Sequence, residues 1–283
     1  MLLYHYASNQ SLLSILESRV VRLSDFSLSN DLLEGKWVHT VFRTYCERKN
    51  VASGDLEKLL RSLDGVLKIS GVTGFCLSEE KDLLSQWRGY ADDGAGVSIG
   101  FDSDYLESWS DGIKDKVFGF RLRKIEYGLS SQEELIQPVM DEILQLVADG
   151  ALSYPTILSG DADRAKWIET WNLLFMKFLN FLQYLYSFKN PVFSEEREWR
   201  LVCIIPRGHT ENVPGMLEQA EYCVRNGKIV PFVPIRFLED RPFPIKELVI
   251  GPRNPTPTQI IYGMLRRFGF NDVAVHKSSA SYR

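Results

Sequence analysis

Glu196, Glu198 and Arg200 are the residues whose types and spacing point most directly to chemistry. They stand in the segment 193–200, which runs into the apolar segment 201–205 and is typical of a strand. Because strands send alternate side chains to opposite faces, the three charged side chains share one face, with the carboxylates roughly 7 Å apart. Carboxylates repel each other and resist burial without partners. Solvent, basic partners or chemistry must therefore account for this pair.

A charged edge strand is the structural alternative for this segment. Alternating charges along an edge discourage aggregation, and such ladders are common. The run Glu195–Glu198 is denser in charge than edge protection requires. We therefore predict a functional role for its carboxylates.

Two further motifs carry residue types that bind ligands. His5, between Tyr4 and Tyr6, could bond a ligand hydroxyl, although a half-buried structural histidine is the more common case. Trp87 and Tyr90 stand three residues apart, so they share a helical face and could form an aromatic wall for a base or a nicotinamide ring. Such a pair is more often part of a core.

Other polar residues give weaker signals. Gln86 and Arg88 could bind a phosphate or a carboxylate, or could be solvated. Arg253, in a loop with two prolines, is a weak candidate for an anion contact. The four cysteines and four histidines lack metal-ligand spacing, so we expect no metal site.

Composition bounds the class of protein. With 283 residues and 45% hydrophobic content, the chain can bury about three quarters of its unfolded surface. A net charge of −4 gives no global attraction to nucleic acid, although a local basic groove stays possible. The first residues lack the regions of a secretory signal, and no apolar run approaches the roughly 18 residues of a membrane span. We expect a cytoplasmic protein with no membrane partner.

Apolar periodicity predicts the elements that must position these residues. Predicted strands cover about 2–6, 20–23, 71–77, 97–101, 117–127, 197–205, 220–225, 228–235, 246–250 and 273–276. Predicted helices cover about 9–18, 34–48, 55–64, 78–90, 131–149, 163–188 and 257–268. Ser8 and Ser78 are the expected N-caps of the helices that follow them.

This pattern indicates an α+β fold of mainly antiparallel strands with flanking helices. The two helices at about 129–190 interrupt a strand-dominated pattern, so we interpret them as an insertion in a single domain of residues 1–283. The sequence holds no G-x-G-x-x-G motif, P-loop or G-x-S-x-G motif. Rossmann and NTPase folds therefore have no support.

The order of the motifs resembles a large bacterial family that is catalogued mainly as a domain of unknown function. The resemblance spans nearly the whole chain. It is carried by six motifs, namely Tyr4–Ser8, Leu77–Ser78, Leu84–Tyr90, Gly96–Asp102, Glu196–Leu201 and the tail Ser281–Arg283.

A second resemblance is to ADP-ribosyltransferases of the His-Tyr-Glu type, and it implies an ADP-ribosyltransferase-like fold with NAD as substrate. In that superfamily a histidine on the first strand bonds the adenosine-side ribose, and His5 holds that position. The glutamate of a later strand bonds the nicotinamide ribose and stabilises the oxocarbenium-like state, and this is the role implied for Glu198. Glu196 matches the E-x-E arrangement in which the first glutamate activates the acceptor as a general base.

The same resemblance implies an aromatic or serine that contacts nicotinamide. Ser78, Trp87 and Tyr90 all compete for this position. Further NAD contacts are expected from the neighbouring motif residues, namely Tyr6, Arg88 and Arg200.

The sequence therefore predicts an NAD-consuming ADP-ribosyltransferase or NAD glycohydrolase, with a role as a toxin or phage-defence effector as its expected setting. Protein, nucleic acid, a terminal phosphate or water could accept ADP-ribose, and the oligomeric state stays open. One alternative is a non-catalytic nucleotide or nucleic-acid binding module, whose cleft would include Trp87, Arg88, Arg200 and Arg253. Another is an interaction protein with the aromatic helix 163–188 as its partner surface.

Overall fold

A computed structural model describes residues 1–28, 37–109, 119–156, 159–207, 220–225, 227–238 and 241–282. In these residues ten strands form one mixed, mostly antiparallel open sheet with flanking helices. The predicted α+β class and mainly antiparallel pairing are therefore confirmed. No described helix is long and apolar enough to cross a membrane.

The elements have the following bounds. The strands are β1 (Leu2–Ala7), β2 (Val20–Asp25), β3 (Ser70–Ser78), β4 (Val97–Asp102), β5 (Gly119–Lys124), β6 (Glu198–Pro206), β7 (Glu221–Arg225), β8 (Lys228–Arg236), β9 (Ile245–Ile250) and β10 (Ala274–Lys277). The α-helices are α1 (Asn9–Ser18), α2 (Trp37–Arg48), α3 (Ser53–Ile69), α4 (Leu84–Tyr90), α5 (Ser103–Ser108), α6 (Leu129–Ala148), α7 (Asp161–Leu185) and α8 (Thr258–Arg267). Short 3₁₀ helices cover Phe26–Leu28, Asp92–Gly94 and Pro191–Glu196.

The sheet divides at β3. Its main path runs β10-β9-β4-β1-β3-β2-β8-β7, and β6 and β5 follow from β3 as a branch. β6 pairs with β3 over residues 70–78 and so occupies one whole edge. β1 and β2 share the other edge, since β1 pairs at Ser78 and β2 pairs at Thr73 and Gly74. A gap between β1 and β2 therefore opens beside residues 75–77.

One face of the sheet is covered by α1, α5 and α8. Their apolar side chains, among them Leu16, Leu106 and Leu265, pack in one core with Phe75 and Leu201 of the sheet. Burying such side chains stabilises the fold by about 1.5–3 kcal/mol each. This core fixes β3 and β6 relative to β1 and β4.

The opposite face carries two separate cores. Helices α2, α3, α6 and α7 pack over β3 and β6, where Phe178 and Phe181 meet Val72 and Val202. Helix α4 packs elsewhere on this face through Trp87, in a smaller core with the two tyrosines of β1. The row Tyr4–Ser78–Glu198 of paired residues runs between the two cores.

The sequence located the strands well and several helix ends poorly. Ser8 caps α1 as predicted, because its side chain accepts a hydrogen bond from the Ser11 amide. The predicted cap at Ser78 is wrong, since β3 continues through Ser78 and α4 begins only at Leu84. Helix α5 was not predicted. Parts of the predicted segments 34–48 and 117–127 lie outside the described residues.

The aromatic stripe of the predicted helix 163–188 belongs largely to the core. In α7, Phe178 and Phe181 are at most 1% exposed. Among the described side chains of α7, Ile168, Leu173 and Met176 are exposed, while Trp167 and Trp171 are half-buried.

Candidate functional site

Four side chains form a buried charged cluster at the junction of the two cores. We call Lys189, Glu196, Glu198 and Arg200 the carboxylate cluster. The Lys189 ammonium donates to Glu196 Oε2 at 2.6 Å and to Glu198 Oε2 at 3.1 Å. Arg200 binds Glu198 with both sides of its guanidinium, Nε to Oε1 at 2.7 Å and Nη2 to Oε2 at 2.9 Å. The four side chains are only 2–12% exposed.

Glu196 and Glu198 meet by a route that strand alternation does not predict. Glu196 ends the 3₁₀ helix Pro191–Glu196, and Arg197 follows in the left-handed region with φ 43°. β6 begins only at Glu198. The prediction that both glutamates lie on one strand is therefore wrong, although both carboxylates still reach the same ammonium.

The stems of the two-helix segment α6–α7 hold Lys189 in place. The Lys189 amide donates to the Glu126 carbonyl at 3.2 Å, and the Glu126 amide donates to Ser187 at 2.8 Å. Gln132 ties the stems together, because its side-chain amide donates to the carbonyls of Glu126 and Lys189. The Glu198 amide donates to the Tyr127 hydroxyl at 3.0 Å. The cluster thus lies where this segment leaves and rejoins the sheet.

Arg200 is positioned by a ring that lies against the sheet. Its guanidinium lies 5.0 Å from the centroid of the Phe26 ring and donates to the Tyr186 carbonyl at 3.1 Å. The Phe26 ring needs Gly74 beneath it, since a Cβ there would lie 2.1 Å from the ring. The Tyr186 ring stacks on the Phe26 ring, with centroids 4.8 Å apart. A planar cation over an aromatic ring suits bidentate binding of a carboxylate.

The two carboxylates have pKa values moved in opposite directions. Burial alone would raise the pKa of Glu198, but the charges of Arg200 and Lys189 outweigh it and lower that pKa to about 2. For Glu196, burial outweighs the charge of Lys189 and raises the pKa. The attraction of both carboxylates outweighs burial at Lys189 and raises its pKa. Glu198 is therefore a fixed anion, whereas Glu196 binds a proton more readily than Glu198 does.

Tyr90 is the predicted aromatic that the structure brings toward the carboxylates. Its side chain is 44% exposed, so part of the ring is open to a ligand. Burial of the hydroxyl end, followed by the charge of Glu196, raises the pKa of Tyr90. Ser78 also lies here, opposite Glu198 in the sheet, but its hydroxyl donates to the Glu196 carbonyl at 2.6 Å. Ser78 thus holds the backbone of the cluster.

His5 does not join the carboxylate cluster. Its Nδ1 lies 2.8 Å from the Cys76 carbonyl, in the gap between β1 and β2, and its ring stacks on Phe75 at 4.0 Å. Phe75 stands opposite Leu201 and packs in the core of the other face. Glu198 points away from that core. The strand between them, β3, separates the predicted histidine and glutamate.

Tyr6 and Trp87 form part of the smaller core. The indole of Trp87 is 0% exposed, packs edge-on against Tyr6 at 4.9 Å and donates to Asp82 at 2.7 Å. The Tyr6 hydroxyl donates to the Glu80 carbonyl and accepts from the Leu83 amide. Both residues therefore shape the loop between β3 and α4, and no face of Trp87 is exposed to a ligand.

The predicted basic residues outside the cluster gather around the tail. Arg88 and Arg253 lie 5.9 and 5.7 Å from the Tyr282 ring centroid. Arg253 also pairs with Asp93, which accepts from the Tyr282 hydroxyl at 2.5 Å. These contacts hold Tyr282 beside Arg88 of α4. In the described residues no group of three or more His, Cys, Asp or Glu side chains could hold a metal ion.

Sequence reasoning missed Lys189 and Tyr127. The carboxylates were expected to need a basic partner, and Arg197 and Arg200 are nearer to them in the sequence than Lys189 is. Arg197 instead pairs with Glu80 at the surface. Only the Lys189–Pro191 stretch before the motif hinted at a turn that could return a lysine to it.

The comparisons with known proteins concern the part of the chain that holds this site. Residues 86–201 match the family described as Protein of unknown function (DUF2971). The match begins at Gln86 and ends at Leu201, so it includes the carboxylate cluster and Tyr90. It supports the predicted resemblance to a family of unknown function. No curated protein and no solved structure matches the chain.

Proposed function

We propose that the chain consumes NAD, transferring ADP-ribose to an acceptor or to water at the carboxylate cluster. The supporting observation is that two carboxylates share one ammonium while their pKa values move in opposite directions. Paired acids with separated pKa values are typical of sites that divide acid–base and electrostatic roles. An ADP-ribosyltransferase-like fold is part of the same proposal.

The proposed reaction breaks the bond between the nicotinamide nitrogen and C1′ of its ribose. Nicotinamide leaves with the bonding electron pair and becomes neutral, so it needs no acid. Positive charge develops on the ribose, and the fixed anion Glu198 favours that charge. The acceptor oxygen then bonds C1′ and gives its proton to Glu196, the carboxylate whose pKa is raised.

The contacts of Glu198 leave room for one more donor. A carboxylate offers about four acceptor positions. Described contacts to Arg200 and Lys189 fill three of them, one on Oε1 and two on Oε2. The remaining position on Oε1 suits a ribose hydroxyl. Tyr90, with its exposed ring, is the candidate that stacks on nicotinamide.

His5 is the contact with the least support in this proposal. A dinucleotide bound at both Glu198 and His5 would have to pass through the gap beside residues 75–77. The adenosine half would then lie on the side of β3 opposite to the carboxylate cluster. Replacing His5 is therefore expected to affect NAD binding and not the chemical step.

Free nicotinamide, measured after incubation of the purified chain with NAD, tests the proposal. Wild type is expected to release it, and Glu198→Gln is expected to reduce the rate by at least about 100-fold. Glu195→Gln is a matched control, because Glu195 is an exposed neighbour in the same segment. A Glu198→Gln variant that releases nicotinamide at the wild-type rate would contradict the role of Glu198. Absence of both turnover and NAD binding would contradict the proposed class.

A non-catalytic nucleotide-binding module is the second candidate. It is favoured by the position of the cluster, because an ion network at the stems of α6 and α7 can serve to dock that segment on the sheet. Glu198 is nearly saturated by its own cations, as a structural anion would be. Calorimetric binding of NAD without nicotinamide release would support this candidate. Salt-dependent binding of RNA or DNA that is unchanged in Glu198→Gln would instead indicate a nucleic-acid module.

A further inference from the structure

Arg123 of β5 is a half-buried arginine beside the carboxylate cluster. It stands directly opposite Arg200 in the sheet, so the two side chains share one face. The charge of Arg200 is balanced by Glu198. In the described part of the chain, by contrast, no hydrogen bond or ion pair joins the Arg123 guanidinium to another group. Because this group carries five N–H donors and a permanent charge, it is suited to bind an anion from solution.

The electrostatic surroundings of Arg123 are positive. Arg121 stands two residues earlier on the same strand, so its side chain lies on the same face. Burial, followed by the charge of Arg121, lowers the pKa of Arg123. Among the described residues no carboxylate acts against that shift. An anion bound here would therefore offset both the burial of the guanidinium and its repulsion from Arg121.

Tyr184 provides a second donor next to Arg123. It lies in the last turn of α7, close enough to interact electrostatically with the Arg123 guanidinium. Its half-buried ring stacks on the Phe188 ring, with centroids 6.0 Å apart, and this contact holds it in place. Its hydroxyl makes no hydrogen bond within the described ranges. The hydroxyl is therefore available to donate to an oxygen of a ligand.

This set of donors favours a phosphate group over a carboxylate. A planar carboxylate is satisfied by the two parallel hydrogen bonds of a guanidinium. A phosphate group offers three strong acceptor oxygens, so a hydroxyl beside the guanidinium can bind the third. It also carries up to two negative charges near neutral pH. Two neighbouring arginines therefore match a phosphate group in charge as well as in geometry.

We propose that Arg123 and Tyr184 form a binding site for a phosphate group, either free or carried by a nucleotide. Arg123 binds two phosphate oxygens, Tyr184 donates to a third, and the charge of Arg121 adds attraction. The site adjoins the carboxylate cluster, because Arg123 stands opposite Arg200. The inference does not depend on the proposed function, since phosphate binding is measured without any turnover of NAD.

Calorimetry with inorganic pyrophosphate at constant ionic strength tests the site. Wild type is expected to bind pyrophosphate, and Arg123→Met is expected to raise the dissociation constant by at least about tenfold. Tyr184→Phe keeps the stacked ring and removes one donor, so we expect a smaller rise of about threefold to tenfold. Lys124→Met is the matched control, because Lys124 lies next to Arg123 in the chain but on the opposite face, where it pairs with Glu79. It should bind pyrophosphate as wild type does.

A second titration with ADP-ribose identifies the source of the phosphate. If Arg123→Met weakens ADP-ribose binding as much as pyrophosphate binding, the site holds the diphosphate of a nucleotide. If only pyrophosphate binding is lost, the site holds a separate phosphate group. Circular dichroism checks that the variants fold. A wild type that binds no pyrophosphate would overturn the proposal, and so would a folded Arg123→Met protein that binds it with unchanged affinity.

Discussion

Glu198 and Glu247 are two buried carboxylates of one sheet that differ in what surrounds them. Glu247 of β9 accepts from the Tyr4 hydroxyl at 2.6 Å and from Lys81 at 2.9 Å, and His276 lies 3.3 Å away. Although burial opposes it, the Tyr4 hydrogen bond and the Lys81 charge lower the pKa of Glu247. Each carboxylate therefore has partners that keep it ionised.

The two regions differ in how exposed their cations are and in whether a second carboxylate lies beside the first. Lys81 and His276 are about half exposed, with side chains 53% and 52% accessible. The side chains of Lys189 and Arg200 are only 9% and 2% accessible. These two cations balance two carboxylates, those of Glu196 and Glu198. Burial of one satisfied carboxylate is enough to hold strands together. A second carboxylate with a raised pKa is needed for proton transfer, and only the Glu198 region has one.

The largest contrast is expected when the lysine of each region is replaced. Lys189→Met leaves two buried carboxylates with Arg200 as their remaining cation, and we expect a loss of about 3–5 kcal/mol in the free energy of unfolding. Lys81→Met removes an exposed partner, and we expect a loss of at most about 1 kcal/mol. Urea denaturation measures both. Equal small losses would show that the two regions do not differ in this way.

Acid unfolding is expected to separate the regions next. The folded-state pKa of Glu198 lies near 2, below its ordinary value of 4.5, so its ionisation stabilises the fold above pH 4.5. This contribution, on the order of 3 kcal/mol, is lost as the pH falls from 4.5 toward 2. Glu198→Gln should remove that part of the pH dependence.

The same titration on Glu247→Gln sharpens the comparison. The pKa of Glu247 is also lowered, but the Lys81 side chain that pairs with it is half exposed. The contribution of Glu247 to the acid dependence of stability should therefore be smaller. The free energy of unfolding, followed between pH 7 and the acid transition, checks this. A larger change in Glu247→Gln than in Glu198→Gln would reverse the ranking.

The pH profile of NAD turnover is expected to report Glu196. Because its pKa is raised, the acid limb of kcat/KM should lie above the ordinary glutamate value of 4.5. Activity falls as the pH drops through that pKa, since a protonated Glu196 cannot accept the acceptor proton. Residual turnover in Glu196→Gln should lack this limb. An unchanged limb would assign it to another group.

The smallest effect is expected at the rim of the Glu247 region. His276→Gln changes a half-exposed partner, and we expect the free energy of unfolding to change by less than about 1 kcal/mol. Thermal unfolding measures it. A loss as large as that of Lys189→Met would show that the Glu247 region is as dependent on its cations as the Glu198 region.

The sequence predicted the parts of this comparison that follow from local patterns. The apolar segment 201–205 predicted the buried part of β6, and the charged residues before it predicted a polar end of that strand. Composition and periodicity were sufficient for the α+β class because strands and helices differ in period. They were also sufficient to select the Glu196–Arg200 motif as the first candidate site.

The rest depends on contacts between distant residues. The left-handed turn at Arg197 has no sequence signal, since that conformation is rare outside glycine and asparagine. Lys189 reaches the carboxylates only because the stems of α6 and α7 meet beside β6. His5 was placed near Glu198 by resemblance, and the separation of the two by β3 follows from strand order alone. Strand order is set by packing and not by any one segment.

The most direct test of the carboxylate pair is nicotinamide release by wild type and Glu196→Gln at neutral pH. Wild type should release nicotinamide from NAD, and Glu196→Gln should stay folded while its rate falls by at least about 100-fold. Glu195→Gln should match wild type. A folded Glu196→Gln protein with wild-type turnover would contradict the central claim, and so would a wild type that binds NAD but releases no nicotinamide.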